Sequence, residues 1–305
     1  MRSVPRVLVL RHREDQFDQT CYVMRALADE WRRRGIVVDV TDRFDGPGTD
    51  DDTIVIPHLD LTRTPPEYRA FLGRCPRVLN RAVTDISKRR ISRNLVASPR
   101  EFDGPVIVKA NNNACGEPER RKLRRRGRLG WEMHQLLTRL PWTISAKLGS
   151  PGYRIFERAA DVPWLAWRNP RLVVERFLPE QKDGQYCLRQ YVFFGSREIN
   201  TMAWSDKPIV KSHNVARREI LTETPPELRK IRAELGFDFG KFDYVMRDGQ
   251  VVLFDTNRTP TFNPASKAGS PSQLVLNMAL GLDAFVPNLR WTTESSDSSN
   301  RANAA

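Results

Sequence analysis

Three residues near the end of the chain carry side chains that could bind a divalent metal ion. Asp243 and Asp255 flank an Asp248-Gly249 pair, and Asn257 follows two residues after Asp255. An Asp-Gly pair between runs rich in Val, Phe and Tyr predicts a β-hairpin, which brings Asp243 opposite the neighbourhood of Asp255. Side chains alternate along a strand, so Asn257 falls on the face of Asp255. Magnesium prefers such oxygen ligands, so the hairpin predicts a magnesium site for a nucleotide, although each residue alone is more often a solvated strand end.

Two lysines are placed to bind the phosphates of such a nucleotide. Lys109 ends the otherwise apolar strand Pro105–Ala110, and a lysine that faces a cleft supplies a positive point charge to phosphate oxygens. The small and polar residues after it would let backbone amides approach the same oxygens. Lys88 is flanked by Arg89 and Arg90, so a solvated helix face is its alternative interpretation.

A strand that runs into a proline-marked bend, Arg171 to Glu180, could bind an adenine. The main chain of the bend would offer donors and acceptors to the edge of the base, in the segment that contains Arg176. Phe177 or Leu178 would lie against the face of the base, and Glu175 would accept a hydrogen bond from its amino group. A core strand would have nearly the same sequence.

The composition predicts two or three domains and no membrane span. The chain has 305 residues, of which 40% are apolar, and a mean hydropathy of -0.53. It contains no run of about 18 or more uncharged apolar residues, and the apolar stretch Val7–Leu10 is too short for the core of a signal peptide. We therefore expect a cytoplasmic protein without a membrane partner.

The net charge of +13 and the pI near 10.0 fit a nucleic-acid binder, an enzyme with acidic substrates, or an arginine-rich proteome. The charge is densest in Arg120–Arg128, where seven of nine residues are basic and none is aromatic. Stacking on single-stranded nucleic acid is therefore not indicated. A solvated surface segment is favoured over a phosphate-contact patch, so nucleic acid is not an expected partner.

The cysteines indicate neither a disulfide framework nor a zinc site. They are far apart, they form no CxxC pair, and the chain has only four histidines to accompany them. The four residues are Cys21, Cys75, Cys115 and Cys187.

The order of predicted elements divides the chain into an α/β part and an α+β part. The first part implies a small parallel sheet covered by helices. Its elements are strand Val7–Leu10, helix Phe17–Arg34, strands Ile36–Val40 and Thr53–Pro57, a short helix after Pro65-Pro66, and strand Arg77–Asn80. The later strands imply an antiparallel sheet. Besides strand Pro105–Ala110, the later elements are helices Asp85–Asn94, Trp131–Leu140, Pro225–Leu235 and Ser270–Phe285, strands Arg171–Phe177, Tyr186–Phe194 and Arg197–Trp204, and the final hairpin.

Taken in order, these pieces resemble the ATP-grasp superfamily, and the resemblance covers roughly Val83 to Phe285. It implies an ATP-grasp fold, with an N-terminal pre-ATP-grasp α/β domain and ATP held between two α+β subdomains. Lysines like Lys88 and Lys109 would grip the phosphates, a segment like VVERFL would form the adenine-binding hinge, and the hairpin would bind magnesium.

The spacing of twelve and then two residues between the metal ligands resembles the ribosomal-protein glutamate ligase and glutathione synthetase branch of the carboxylate–amine ligases. That resemblance implies contacts with phosphate or metal from Arg189, in YCLRQYVFF, and from Asn214, in KSHNVARRE. Arg189 and Lys109 would be the catalytic residues.

Several positions depart from the pattern of that branch. Cys187 stands where relatives often carry an acid, and the second metal ligand is Asp255 where Glu is more usual. The region 111–171 is longer than expected, and the glycine-rich phosphate loop is reduced to Gly116. The nearest candidates for a ribose ligand are Glu180 and Asp183.

The resemblance also predicts the domain organisation. A pre-ATP-grasp domain would span 1–82 and a central subdomain 83–176, with a mobile basic insertion at about 111–170. A C-terminal subdomain would span 177–289, and the composition of 290–305 predicts a disordered tail.

The implied activity is an ATP- and Mg²⁺-dependent ligase that joins a carboxylate to an amine through an acylphosphate. One or two magnesium ions would serve, with Mn²⁺ as a substitute. The substrates would be small molecules or peptides, and a homodimer is left open. A kinase that phosphorylates a hydroxyl and a non-catalytic nucleotide- or nucleic-acid-binding module are the alternatives. Residues that could contact the substrate are His58, Asp60, Asn214 and Arg217, with Arg218 beside it.

Overall fold

The computed structural model of the chain describes residues 6–45, 50–116, 118–119, 142, 152–261, 273–286 and 289. The described residues form three β-sheets with helices packed against them. The helix predicted over Trp131–Leu140, the basic run Arg120–Arg128 and the tail 290–305 lie outside the described residues.

The N-terminal sheet is parallel, with strand order β2-β1-β3, as the alternation of strands and helices predicted. Strand β1 (Arg6–Arg11) has four consecutive buried residues, as expected for a strand with neighbours on both sides and helices above. The other elements are α1 (Val23–Arg33), β2 (Val37–Thr41), β3 (Thr53–His58) and α2 (Pro66–Arg74).

Helix α1 begins six residues later than the sequence predicted. The residue before it, Tyr22, is extended and pairs with Thr261, and the backbone N–H of Val23 donates to the carbonyl of Pro260 at 2.9 Å. A tertiary contact therefore fixes the start of this helix. The predicted strand Arg77–Asn80 is reduced to a single bridge between Val78 and β3.

A second sheet of three short antiparallel strands has the order β5-β4-β6 and its own apolar core. Its elements are α3 (Lys88–Ile91), β4 (Val106–Ala110), β5 (Arg154–Phe156), α4 (Trp164–Arg168) and β6 (Leu172–Arg176). The helix predicted over Asp85–Asn94 is only four residues long. After it the chain extends so that Leu95 pairs with Glu175, and this strand contact ends the helix.

The third sheet is antiparallel, with order β10-β9-β8-β11-β12, and β7 pairs with β8. Its strands are β7 (Glu180–Lys182), β8 (Gln185–Phe194), β9 (Arg197–Ser205), β10 (Arg217–Leu221), β11 (Phe239–Arg247) and β12 (Gln250–Asn257). The predicted hairpin is present, and Asp248 and Gly249 adopt φ values of 51° and 77°. Such left-handed values at both turn residues are why Asp-Gly is favoured in this turn.

Helix α5 (Pro226–Leu235) covers one face of the third sheet. Leu228 and Ile231 pack there with a cluster of aromatic side chains from β8 and β11, so this face is closed to solvent. The opposite face carries the polar side chains of the hairpin described below.

The C-terminal helix α6 (Gln273–Ala279) and the 3-10 turn Leu280–Ala284 join the N-terminal sheet to the third sheet. The Trp31 indole of α1 donates to the carbonyl of Ala279 at 2.9 Å. One core cluster contains Met24 of α1 as well as Phe194 of β8, so these two sheets share buried apolar surface.

The described part of the chain has no helix of the length and apolar character that a membrane span requires. The α/β character of the first part and the α+β character of the rest agree with the predicted fold class.

Candidate active site

The final hairpin places four polar side chains on one face of the third sheet. Asp243 pairs directly with Asp255, and Lys241 pairs with Asn257. Residues that pair directly lie on the same face of a sheet, as the sequence predicted for the aspartates. The register shifts after Asp243 and leaves Phe254 without a cross-strand counterpart. Such a β-bulge redirects side chains locally.

Lys88 of α3 reaches the hairpin from the small sheet. Its Nζ lies 3.3 Å from Oδ2 of Asp255 and 3.3 Å from the carbonyl of Asn112. The lysine is only 1% exposed. A buried ammonium needs an anionic partner, and this pair supplies it.

Lys109 of β4 reaches Phe254, the residue before Asp255 on β12. Its Nζ lies 5.4 Å from the ring centroid of Phe254 and forms an ion pair with Glu175 of the adjacent strand β6. Both lysine and glutamate are buried. The two lysines that the sequence assigned to phosphate binding are therefore directed at neighbouring residues of β12.

The loop after β4 has an unusual backbone. Ala114, Cys115 and Gly116 have φ values of 45°, 55° and 72°, although left-handed values are uncommon for residues with a side chain. Such outliers tend to occur at functional sites. The backbone N–H of Asn113 donates to Oγ1 of Thr62 at 3.0 Å, which fixes the loop against the N-terminal part.

Tyr153 enters the same region, although no sequence pattern indicated it. Burial, together with the nearby charge of Asp255 and contact with Cys115, raises the pKa of the phenol well above its usual value, so the hydroxyl keeps its proton. The Nζ of Lys211, from the loop after β9, lies 4.6 Å from the ring centroid of Tyr153. This contact spans the two antiparallel sheets. No motif could have found Tyr153, because it directly follows Pro151-Gly152 in a stretch that matches no pattern.

The predicted adenine-binding bend has most of its groups engaged within the protein. The backbone N–H groups of Arg176 and Phe177 donate to the carbonyls of Asn94 and Pro105 at 2.9 and 2.8 Å. The Arg176 guanidinium lies over the Phe102 ring, 5.1 Å from its centroid. Phe177 and Leu178 are half-buried, while the carboxylate of Glu175 faces Lys109.

Arg189, the predicted catalytic residue, does not lie on the face of Asp243. It pairs with Tyr244 of β11, so it is one residue out of register with Asp243 and on the opposite face. There its guanidinium forms a salt bridge with Glu180 at 2.6 Å, and this hydrogen-bonded partner raises the pKa of Arg189. Glu180, a candidate for ribose, also accepts from the backbone N–H of Met246 at 2.9 Å.

Gln190, next to Arg189 on β8, is the residue that faces Asp243. It pairs with Asp243, and its Nε2 donates to Oδ1 of that carboxylate at 3.0 Å. Arg218 of β10 donates in turn to Oε1 of Gln190. A chain of side chains therefore leads across the sheet from the exposed guanidinium of Arg218 to the carboxylate of Asp243.

Arg217, the predicted substrate residue next to Arg218, lies on the other face. Its guanidinium is 3.8 Å from the centroid of Trp204 and 3.1 Å from the carboxylate of Glu219. Strand alternation puts only one of two adjacent arginines on each face, and here Arg218 is the one near Asp243.

Asn214 has a local role. Its Oδ1 accepts from the backbone N–H of Lys211 at 2.8 Å, and its Nδ2 donates to the carbonyl of Ile209 at 2.9 Å. Both polar atoms of the side chain therefore hold the turn at 212–214, rather than a phosphate or a metal as the sequence predicted.

His58 is buried inside the N-terminal part and does not line a cleft as predicted. It is 1% exposed, its ring lies 4.4 Å from that of Tyr22 and 5.0 Å from that of Phe17, and neither nitrogen has a hydrogen-bond partner. Burial, and secondarily the charge of Arg258, lowers the pKa of His58 to about 3. The ring is therefore neutral at ordinary pH.

Asp60 is connected to Asn257 of the final hairpin through Thr259. The Thr259 Oγ1 lies 3.2 Å from Oδ1 of Asp60 and 3.2 Å from Oδ1 of Asn257. The backbone N–H of Thr259 also donates to Oδ1 of Asn257 at 2.8 Å, and the hydroxyl of Tyr22 donates to Oδ2 of Asp60 at 3.2 Å.

Arg258, between Asn257 and Thr259, fixes the end of β12 to the N-terminal part. It is 2% exposed, and burial lowers its pKa to about 10. Its guanidinium donates to four uncharged acceptors at 2.7–3.1 Å, which are the carbonyls of Leu59, Leu61 and Val83 and Oγ1 of Thr64.

The donor set on the hairpin suits magnesium better than zinc. Among the residues that the structure describes, no group of three or more His, Cys, Asp and Glu side chains could hold a metal ion. Asp243, Asp255 and Asn257 supply two carboxylates and an amide oxygen, and Mg²⁺ usually takes one or two carboxylates and completes its shell with water and phosphate.

The arrangement as a whole has the features that the resemblance implied. A parallel α/β unit precedes two antiparallel sheets. Lys88, beside the first antiparallel sheet, pairs with Asp255 of the second, and Lys109 of the first lies over the Phe254 ring of the second.

Solved structures to which this chain is similar include ATP-grasp proteins, whereas no protein-family model and no curated protein matches it. The ATP-grasp ligase PsnB, solved with a minimal precursor, is 14% identical with a TM-score of 0.48, over 92% of this chain and 99% of that chain. The D-alanine–D-alanine ligase from Bacillus anthracis is 12% identical with a TM-score of 0.43, over 92% and 96%.

A RimK-domain ATP-grasp protein from Sphaerobacter thermophilus DSM 20745 is 14% identical with a TM-score of 0.42, over 83% of this chain and 91% of that chain. At these identities and TM-scores the likeness assigns no family, substrate or activity to this chain.

Proposed function

We propose that this chain is an ATP- and Mg²⁺-dependent ligase that joins a carboxylate to an amine through an acylphosphate. One observation carries the proposal: the buried Lys88 of the small sheet lies 3.3 Å from Asp255, the carboxylate that pairs with Asp243 on the final hairpin. The lysine that would bind phosphate therefore lies next to the carboxylate that would bind the metal.

The pairing of charges supports a metal-bound nucleotide as the ligand. Three lysines are each paired with one carboxylate, as Lys88–Asp255, Lys109–Glu175 and Lys241–Asp243. A phosphate alone would take the cations from one buried carboxylate, Glu175, and from two partly buried ones, which is costly. A metal nucleotide brings both signs of charge, so the lysines can take phosphate oxygens while the hairpin carboxylates take the metal.

Asp243, Asp255 and Asn257 would hold the magnesium. When bound, the ion would neutralise charge on the reacting phosphates, as phosphoryl transfer generally requires. Asn257 suits this role because its oxygen has two lone pairs and the Thr259 N–H takes one of them. One or two ions would serve, and Mn²⁺ would substitute.

The reaction needs no covalent nucleophile from the protein. A carboxylate oxygen of the substrate attacks the γ-phosphorus of ATP, the bond to the bridging oxygen breaks, and ADP leaves. The amine nitrogen then attacks the acyl carbon, phosphate leaves with the carbon–oxygen electron pair, and the nitrogen releases a proton to water. Lys88 and Lys109 would orient the phosphates and stabilise their charge.

Arg218 supports a carboxylate-bearing substrate. It is exposed on the face of Asp243 and is connected to it through Gln190. A guanidinium suits a carboxylate because its fork of donors matches the two oxygens. Small acids and the acidic groups of peptides both fit this chemistry.

The test is an ADP-release screen of the purified chain with ATP, Mg²⁺ and pools of amino acids, short peptides and polyols, with products read by mass spectrometry. We expect free phosphate and a product with a new amide bond. A stable phosphoester would show a kinase instead, and the absence of any ATP-dependent product together with the absence of Mg²⁺-dependent ATP binding would contradict the proposal.

A further inference from the structure

One hydroxyl lies between two side chains that both accept hydrogen bonds. The Oγ1 of Thr259 is 3.2 Å from Oδ1 of Asp60 and 3.2 Å from Oδ1 of Asn257. A threonine hydroxyl has a single proton. It can donate to Asp60 or to Asn257 at any one time, but not to both.

The direction of that proton matters for Asn257. Its carbonyl oxygen has two lone pairs, and the backbone N–H of Thr259 already occupies one at 2.8 Å. If the Thr259 hydroxyl also donated to this oxygen, both lone pairs would be taken. A magnesium ion needs one of them.

Asp60 is the better acceptor of the two. Hydrogen bonds to an ionised carboxylate are stronger than those to a neutral amide, so Asp60 draws the hydroxyl away from Asn257. Thr259 is 2% exposed, which limits competition from bulk water. Asp60 itself is held by the Tyr22 hydroxyl at 3.2 Å.

We propose that Asp60 and Thr259 form a positioning pair that keeps one lone pair of Asn257 available for the metal. The inference rests on the proposed metal-binding role of Asn257 and assigns Asp60 a task other than substrate contact. The carboxylate acts on the metal site through the hydroxyl, from the end of β3 in the N-terminal part.

The test is a double-mutant cycle read by metal binding and not by turnover. Free Mn²⁺ is titrated by its EPR signal at fixed ADP. We expect Asp60→Asn to weaken Mn²⁺ binding about fivefold, because contacting groups that share a hydrogen bond are coupled. In the Thr259→Val background, the same change at Asp60 should shift the affinity less than about twofold, and Thr259→Ser should restore the full effect.

The cycle separates the hydroxyl from the charge. Any weakening that comes only from the lost negative charge of Asp60 is the same with and without the Thr259 hydroxyl. The difference between the two effects of Asp60→Asn therefore reports on the hydroxyl. Thr256→Val is the matched control, because Thr256 is buried next to Asn257 on β12 and its hydroxyl has no hydrogen-bond partner. This control should leave the effect of Asp60→Asn unchanged.

An equal effect of Asp60→Asn with and without the Thr259 hydroxyl would overturn the inference while leaving the proposed function intact. Failure of the unmodified chain to bind Mn²⁺ with ADP would overturn both. The melting temperature of each variant is measured alongside, and Thr259→Ala, which also lacks the hydroxyl, takes the place of Thr259→Val if that variant fails to fold.

Discussion

Lys88 and Asp255 lie 3.3 Å apart although 167 positions separate them in the chain. The lysine belongs to a four-residue helix beside the small sheet, and the aspartate to the last strand of the large sheet. Their contact defines where a phosphate and a metal would meet.

Replacing Lys88 with methionine should weaken ATP binding at least about tenfold, because a hydrogen bond to a charged group is lost. Methionine keeps most of the side-chain volume, so packing changes little. The measurement is a calorimetric titration with ATP and Mg²⁺. Lys230→Met, an exposed position on α5, is the control, and an unchanged affinity for ATP in Lys88→Met would contradict the assignment.

Asp255→Ala should abolish ADP formation while the chain remains folded. The carboxylate is only partly buried, but its loss leaves the ammonium of Lys88 without an anionic partner, so a lower melting temperature is also expected. ADP release and circular dichroism check the two effects. Unchanged turnover in this variant would remove the metal assignment.

Arg189→Met should lower stability without changing nucleotide affinity. The guanidinium is bound to Glu180 on the face opposite Asp243, so its loss should cost about 1–3 kcal/mol of the free energy of unfolding. Denaturant unfolding and ATP titration together decide the point. A loss of ATP affinity at unchanged stability would restore the catalytic role that the sequence predicted.

Arg218→Met should raise the KM for the carboxylate substrate about tenfold or more, since a charged hydrogen-bond donor is lost, and leave ATP affinity unchanged. Arg217→Met is its matched control, because the neighbouring arginine lies over Trp204 on the other face. Steady-state kinetics with the substrate found in the screen provide the comparison. Equal effects of the two changes would contradict a specific role for Arg218.

Stability should fall as the pH is lowered from 6.5, because His58 must become protonated on unfolding. Its pKa is 6.5 when unfolded and about 3 in the folded chain, so below pH 6.5 the unfolded state binds the additional proton. Protonation of His58 in the unfolded state should lower the free energy of unfolding by about 2 kcal/mol at pH 5. This loss should grow until the pH reaches the folded-state pKa of about 3.

His58→Phe should flatten the slope of stability against pH between 6.5 and 4. The substitution leaves no hydrogen bond unmade, because neither nitrogen of His58 has a partner. Denaturant unfolding at a series of pH values is the measurement, and His213→Phe, at an exposed position, is the control. An unaltered slope in His58→Phe would contradict the burial of a neutral ring.

The sequence predicted those parts of the site that depend on local chemistry. Asp248-Gly249 dictates the turn, the turn brings Asp243 opposite the neighbourhood of Asp255, and an apolar strand dictates where Lys109 lies. Each of these follows from a few adjacent residues.

What the sequence could not predict depends on register and tertiary contact. Arg189 and Gln190 differ by one position, and only the pairing of β8 with β11 decides which side chain faces Asp243. The helix at Lys88 is short because the following chain joins β6, and Tyr153 reaches Asp255 only through the folded small sheet.

Arg258 fastens the last strand of the large sheet to the loops of the N-terminal unit through four hydrogen bonds. The final hairpin and the N-terminal unit therefore behave as one rigid body, since a change in their relative position would break these buried hydrogen bonds. The small sheet differs from both, because it has an apolar core of its own.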